Sequence, residues 1–307
     1  MGLRIRTNVT AINAHRKLSD STKMLRKAML HLSSGERINK AADDAAGLAV
    51  SESLRADLRS LKMARRNASD GISLVQTTEG GLVEANNILV RLRELAVQGA
   101  SDTISDLERG FLDKEFVALK DEIERLAITT EFNGTRLLVG EADLPEELGF
   151  SNSFPLEIQV GKDYFPDVDD IEATNPVNIV KLDLRQVNAW VEGENSLEIG
   201  RHEEGARIHN KVDAQRSINV LDQAVDKINT HRAYLGSIQN RLNTTVSNLS
   251  IYIENLSEAR SRVRDTDFAA ETSNLTKANI LQNAGTSVLA TANSQPQIAL
   301  SLLNQGG

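Results

Sequence analysis

The chain of 307 residues contains no cysteine. Disulfides and thiolate metal sites are therefore excluded, and no thiol in it can misoxidise outside a cell. Aromatics make up only 4%, with Trp190 the sole tryptophan. Leu, Ile, Val and Ala must supply the apolar atoms instead, the palette of long packed helices. Proline occurs five times, at Pro145, Pro155, Pro166, Pro176 and Pro296. Because proline removes a donor and clashes with the preceding turn, the spans 1–144 and 177–295 are free to be helical, and the prolines mark a different middle. No stretch approaches the roughly 20 apolar residues that cross a bilayer, so no membrane insertion is expected. The opening MGLRIRTNVTAINAHRKL has no continuous apolar segment, so no cleaved signal peptide is expected either.

Chemistry is missing in the same way. Of His15, His31, His202, His209 and His231, none is spaced as a zinc pair on a helix, and HEEG at 202–205 lacks a metalloprotease's second histidine. No G-x-S-x-G elbow surrounds a serine. Gly80-Gly81 interrupts a helical pattern without the lysine of a phosphate loop. The acidic run VDDIEA at 168–173 lacks the alternating ligands and glycine of a calcium loop. The chain reads as no enzyme, with no cofactor and no metal. Charge is uneven: residues 1–66 hold fourteen Lys/Arg against six Asp/Glu, and 141–204 hold four against sixteen. A basic arm can mean nucleic acid, but 1–66 has no aromatic to stack bases, so no nucleic-acid partner is expected.

What is present is periodicity. From Ile218 to Val263, positions stepping by three and four run through Leu221, Val225, Ile228, Leu235, Leu242, Val246, Leu249, Ile253 and Leu256; eleven of fourteen are apolar. That is a coiled-coil seam, a helix of roughly 75 Å if unbroken. Leu54, Leu61, Ala64, Ala68, Gly71, Val75, Thr78, Leu82, Ala85, Leu89, Leu92 and Ala96 keep the same step, with Asp57 as one interruption. Leu112, Phe116, Leu119, Ile123 and Leu126 give a shorter helix ending near Asn133-Gly134, a turn signal. In the middle, LEIQVG (156–161) and NIVKLDL (178–184) read as short strands. The fold class is mainly α: a long coiled-coil-like helical hairpin or bundle with a small β-hairpin region, its terminal helices paired.

The two ends carry apolar stripes that a central bundle cannot cover. One comprises Leu3, Ile5, Val9, Ile12, Leu18, Leu25, Met29 and Leu32; the other Leu275, Ile280, Leu281, Val288, Leu289, Ile298, Leu302 and Leu303. Each helix alone is marginal, because nucleation is costly and stability comes from burying a face. Both stripes are expected to order only against other copies.

LSSGERINKAADDAAGLAVSESLR (32–55), ARRNASDGISLVQTTEGGLVEANNILVRLRELAVQ (64–98) and TEFNG (130–134) resemble the N-terminal region of bacterial flagellins. LGSIQNRL (235–242), NLSEARSRVRDTDFAAETSNL (255–275) and ILQNAGTSVLATANSQPQIALSLL (280–303) resemble the C-terminal region. The resemblance implies a structural subunit that self-assembles into the helical flagellar filament for motility. The alternative is a minor filament or hook-filament junction protein. It also implies domains: 1–40 with 268–307 as a terminal coiled coil at the filament's inner core, 41–140 with 205–267 as a helical rod, and 141–204 as a short surface region with strands.

Implied partners are other copies of the chain, an export chaperone at the C-terminus, filament cap and hook-junction proteins, and the flagellar type III export apparatus; the implied location is the extracellular filament. Within 32–55, Ser-Gly and the RIN turn would separate a terminal helix of about 1–33 from the rod. The small AADDAAGLAV run would allow close contact near the next subunit, while Asp43 and Asp44 also suit a helix N-terminus. The resemblance finally carries the contacts of the animal Toll-like receptor for flagellin onto Arg91, Leu95 and Glu115. Leu95, beside Leu92, also suits core packing, and Arg91 and Glu115 also suit solvated rod charges.

Overall fold

The computed structural model describes residues 7–140, 154–163, 178–185, 187–191, 196–200 and 205–304, with side chains described as far as Pro296. Among them the order is α1 (Val9–Ser34), α2 (Ala45–Gly99), α3 (Asp106–Thr129), β1 (Glu131–Phe132), β2 (Thr135–Arg136), β3 (Leu156–Gln159), β4 (Ile179–Leu182), α4 (Lys211–Arg264) and α5 (Phe268–Asn304). The chain is mainly helical, as its periodicity implies. It divides into two compact units, residues 1–58 with 254–307, and residues 59–253.

In the first unit, α1 starts where the Asn8 side chain accepts a hydrogen bond from Ala11 N at 3.0 Å, satisfying one of the donors a helix start leaves open. It stops at Gly35, whose φ of 71° favours glycine and whose N–H bonds His31 O at 2.8 Å. The turn that follows tucks Ile38 inside, 1% exposed. Asp44 Oδ1 accepts from Gly47 N at 2.9 Å as α2 opens, whereas Asp43 pairs with Lys27 at 3.2 Å. The two aspartates thus divide into a helix start and an ion pair. Gly47 is small for an internal reason: a β-carbon there would stand 2.7 Å from Ile38 Cδ1. Ala41, Ala42, Ala45, Ala46 and Ala49 remain exposed on the single chain.

In the second unit, α2, α3 and α4 bury one core cluster. It runs from Ala68 through Leu82, Leu89, Phe116, Ile123 and Leu221 to Leu242. The seams behave as their spacing implies, with one local change. At the α2 seam's start, still in the first unit, Leu58 takes the buried place the 3.5-residue count gives to Asp57, since an α-helix of 3.6 residues per turn drifts against that count. The helix also continues through Gly80-Gly81 instead of breaking there. A β-carbon on Gly81 would lie 2.6 Å from Leu138 Cδ1, so this glycine admits a neighbouring side chain.

α3 opens on a capping box between Ser105 and Glu108. Beyond its end, Asn133 (φ 51°) and Gly134 (φ 80°) make the two-residue turn that pairs Glu131 with Arg136 and Phe132 with Thr135. β3 and β4 pair antiparallel from Leu156↔Leu182 to Gln159↔Ile179. Val180, Leu182, Leu184, Trp190 and Leu197 join the helical core. Pro145, Pro166, Pro176 and the run at 168–173 lie outside the described residues.

Proline is not a universal stop in this chain: α5 passes through Pro296 to Asn304. The proline ring cannot supply the N–H that would bond Ala292 O four residues back. Asn8 Nδ2 supplies a donor there at 2.7 Å, which offsets the loss.

One buried charge yields a pH prediction. Lys120, 1% exposed, donates from Nζ to Ala206 O at 3.2 Å, beside an Arg207–Asp113 ion pair at 2.6 Å. Burial, and next the Arg207 charge, push its ammonium down from 10.5 to about 8. The folded state therefore sheds this proton first, and between pH 8 and 10.5 the unfolded state binds more protons. Stability contributed by this site consequently rises with pH through that window. Denaturant unfolding of the protein against Lys120→Met at pH 7.5 and 10 is expected to show the stability difference moving in the protein's favour by about 1–2 kcal/mol. A flat difference would remove the assignment.

Candidate assembly surface

α1 and α5 lie antiparallel. Asn8 meets Ala292, Leu18 meets Gly285, and His31 Nδ1 lies 3.1 Å from Glu271 Oε1. Their shared seam alternates large and small residues. On α1 it holds Ala14, Leu18, Leu25, Ala28, His31 and Leu32, and on α5 it holds Leu275, Ala278, Gln282, Gly285, Leu289 and Ala292. Small residues let the two backbones approach, so little apolar area is needed to close the seam. The seam is correspondingly thin: among its described side chains only Ala28, His31, Ala278 and Ala292 are buried.

The opposite faces are apolar and open. Val9 is 52% exposed, Ile12 61%, Ile280 62%, Leu281 42% and Val288 57%. Met24, Met29, Leu30 and Phe268 add to them. Large apolar side chains gathered in solvent mark a surface meant to be covered. Charge is one-sided as well. α1 carries Arg16, Lys17, Lys23, Arg26 and Lys27 against Asp20, whereas α5 has only Glu271 and Lys277.

Where the pair meets the longer helices, the two crossing segments hold each other. Arg37 N donates to Arg264 O at 2.7 Å and Thr266 N to Gly35 O at 3.0 Å, with Glu36 bridged to Asp265 between them. Around this backbone rung, Arg264 pairs with Glu36 at 2.9 Å and with Glu52, and Arg260 approaches Glu36 at 3.7 Å. The Glu52 carboxyl is held below its ordinary value, first by its hydrogen bond to Arg264. Arg37 Nη2 also reaches Val263 O at 2.8 Å.

The terminal residues that the sequence proposes for polymerisation therefore separate into two sets. Leu18, Leu25, Leu32, Leu275 and Leu289 are half-buried along the seam; Val9, Ile12, Ile280, Leu281 and Val288 face outward. Leu3 and Ile5 lie outside the described residues, as do the side chains of Leu302 and Leu303 on α5. Sequence reasoning missed Met24, Leu30 and Phe268 on the outer faces, and missed Asn8. Asn8 carried a usable signal, an Asn just before the first helical turn.

The three receptor positions also part company. Arg91 pairs with Glu115 at 2.9 Å and Glu94 at 3.0 Å on an exposed surface. Leu95 is 1% exposed, and its side chain packs inside the core. It lies on the buried stripe of α2, the packing reading that its place beside Leu92 also offers. Among the described residues there is no group of three or more His, Asp or Glu that could hold a metal, and no helix long and apolar enough to cross a membrane.

Comparison with known proteins agrees along nearly the whole chain. Residues 5–143 match the bacterial flagellin N-terminal helical region, and residues 218–303 match the bacterial flagellin C-terminal helical region. A flagellin of Halalkalibacterium halodurans is 40% identical over 299 residues, covering 97% of this chain and 99% of that one. A flagellin of Bacillus subtilis is 39% identical over 312 residues, covering 98% and 100%. Among solved structures, a Vibrio parahaemolyticus protein described as a flagellar hook-associated protein aligns over 73% of this chain and 100% of its own, with a TM-score of 0.54. At 15% identity, that likeness concerns the fold alone.

Proposed function

The chain belongs to the bacterial flagellin family, and from that premise we propose that the open faces of α1 and α5 are the surfaces by which one copy joins the next. Flagellins are structural, and copies of this chain self-assemble into the extracellular flagellar filament that serves motility. The observation that carries the reading is the coexistence of a thin seam with apolar outer faces. Val9, Ile12, Ile280, Leu281 and Val288 are large apolar side chains left in solvent on the single chain, the kind of surface that association covers.

In this reading the terminal pair is marginal in the free chain and becomes firmly ordered on addition to the tip. Covering its outer face releases apolar surface at roughly 25 cal/mol per Å², which offsets the entropy of ordering. Residues 1–40 and 268–307 then form the inner core of the filament. Residues 41–140 with 205–267 form the rod around it, and 141–204 a reduced surface region. Export proceeds through the flagellar type III apparatus. A chaperone covers the C-terminal stripe inside the cell, and cap and hook-junction proteins meet the filament's ends. The exposed Arg91–Glu115 pair supports the placing of a Toll-like receptor contact on those two residues.

The test is seeded growth. Purified chain mixed with short filament fragments is expected to elongate them continuously, as seen by electron microscopy. Growth that stops after a few layers would instead indicate a junction protein.

A further inference from the structure

The α1/α5 seam poses a problem of alignment. On α5, Ala278, Gly285 and Ala292 recur every seven residues, and each is a small residue at the same seam position. Sliding α1 by one heptad would set Leu18 against Ala278 or Ala292 instead of Gly285, with small change in packing. A heptad seam fixes its register through polar exceptions, not through its repeated apolar layers. α5 is poor in exceptions, having two charges along its length.

Its one proline makes an exception. Pro296 leaves Ala292 O without its helical donor, and Asn8 Nδ2 occupies that acceptor at 2.7 Å. Only one residue of α5 is a proline, so only one alignment offers Asn8 a freed seam carbonyl. The same side chain uses its oxygen to hold Ala11 N at 3.0 Å, which fixes the amide's orientation towards α5. At the other end, the rung of Gly35, Arg37, Arg264 and Thr266 with its Arg264–Glu36 pair lies in the same register. From the Glu36↔Asp265 bridge through His31–Glu271 and Leu18–Gly285 to Asn8–Ala292, the sum of the partners' residue numbers holds to within three, as one antiparallel register requires.

We propose that Asn8 is a register-determining residue of the terminal helix pair. Its carboxamide reads the carbonyl that Pro296 exposes at Ala292, and the Arg264 clasp holds the opposite end of the same alignment. The consequence for assembly rests on the functional reading above; the alignment itself rests on geometry. A slipped pair keeps its packing but displaces the outer apolar faces by about 10 Å, at 1.5 Å per residue, so it cannot match the copies already at the tip.

The absence of cysteine makes the test clean, because any disulfide is an introduced one. A β-carbon built on Gly285 stands 3.8 Å from Leu18 Cβ, which suits a disulfide. Leu18→Cys with Gly285→Cys therefore locks the observed register, and Leu18→Cys with Ala278→Cys locks a slipped one. Asn8→Asp keeps the oxygen that caps α1 and removes the donor. Combined with Arg264→Ala, it is expected to slow elongation from seeds at least tenfold. Oxidising the observed-register lock in that background is expected to restore the rate to within threefold of the unmodified chain, whereas the slipped lock restores nothing. Pro296→Ala gives back the helical donor, and in the Arg264→Ala background it is expected to match Asn8→Asp despite strengthening α5.

Undiminished growth of Asn8→Asp/Arg264→Ala would overturn the proposal, and so would equal rescue by both locks or rescue by neither. If unmodified chain fails to elongate, the functional reading falls. The register is then decided by the two cysteine pairs equilibrated in a glutathione buffer: the observed-register disulfide is expected to lead tenfold where Asn8 and Arg264 are retained, and to lose that lead when Asn8→Asp and Arg264→Ala are added. An unchanged ratio would overturn it.

Discussion

A chain lacking residues 268–307 is expected to add to seeds more than a hundredfold more slowly than the full chain, while residues 59–253 keep their helices. The core cluster from Ala68 to Leu242 contains no residue of α1 or α5, so its stability does not depend on them. The deletion removes one side of the seam and strips the cover from Leu18, Leu25 and Leu32 on the other. α1 then has no partner against which to repay its ordering entropy, and an isolated helix of its length is marginal in water. A loss of only about 3 kcal/mol of contact at the tip already costs more than a hundredfold in affinity. Circular dichroism should show the helical signal reduced by no more than the terminal helices, and sedimentation should find a monomer. Filaments grown by the truncated chain would show that the ends are not the joining surface.

The second large effect separates the two faces of the same helices. Ile12→Asp and Ile280→Asp place a carboxylate at positions that are 61% and 62% exposed in the single chain. There the charge stays hydrated, and soluble stability is expected to move by no more than about 0.5 kcal/mol. In the polymer the same atom must shed water without a partner, and the isoleucine's burial is lost too. Together these amount to several kcal/mol, or a rise of about a hundredfold or more in the concentration needed for growth. Leu289→Asp reads out differently, because Leu289 is half-buried in the seam and its substitution disturbs the pair before any assembly. A threefold rise or less for Ile12→Asp would mean that the outer face stays wet in the filament.

Much of this architecture is legible in the spacing of apolar residues, because repeated burial over many turns leaves a period that no accident sustains. The seams through Leu82, Leu89 and Leu92 and through Leu221, Leu235 and Leu242, the Asn133-Gly134 turn and the strands at 156–159 and 179–182 all follow from local rules. Three things do not. A stripe of apolar residues does not say who covers it, so Leu18 and Ile12 look alike in sequence although one packs on α5 and the other faces water. Proline reads as a break unless a distant side chain replaces the missing donor, and the Asn8–Ala292 contact spans nearly the whole chain. Gly81 reads as an interruption until Leu138, which it admits, comes into view. Leu95 lay between two readings, and only the orientation of α2 against its neighbours decided for the core.

The rung at Gly35, Arg37, Arg264 and Thr266 has a mechanical side. Its two segments run in opposite directions, with one hydrogen bond on each side of the Glu36↔Asp265 bridge. Tension applied along either terminal helix drags these segments past each other, so both bonds strain together and neither can peel open ahead of its twin. A pull on one end of the polypeptide is thereby passed to the opposite end through two backbone bonds, reinforced by Arg37 on Val263 O and by the Arg264–Glu36 pair, and torque reaching the terminal pair would be divided between its helices at that place.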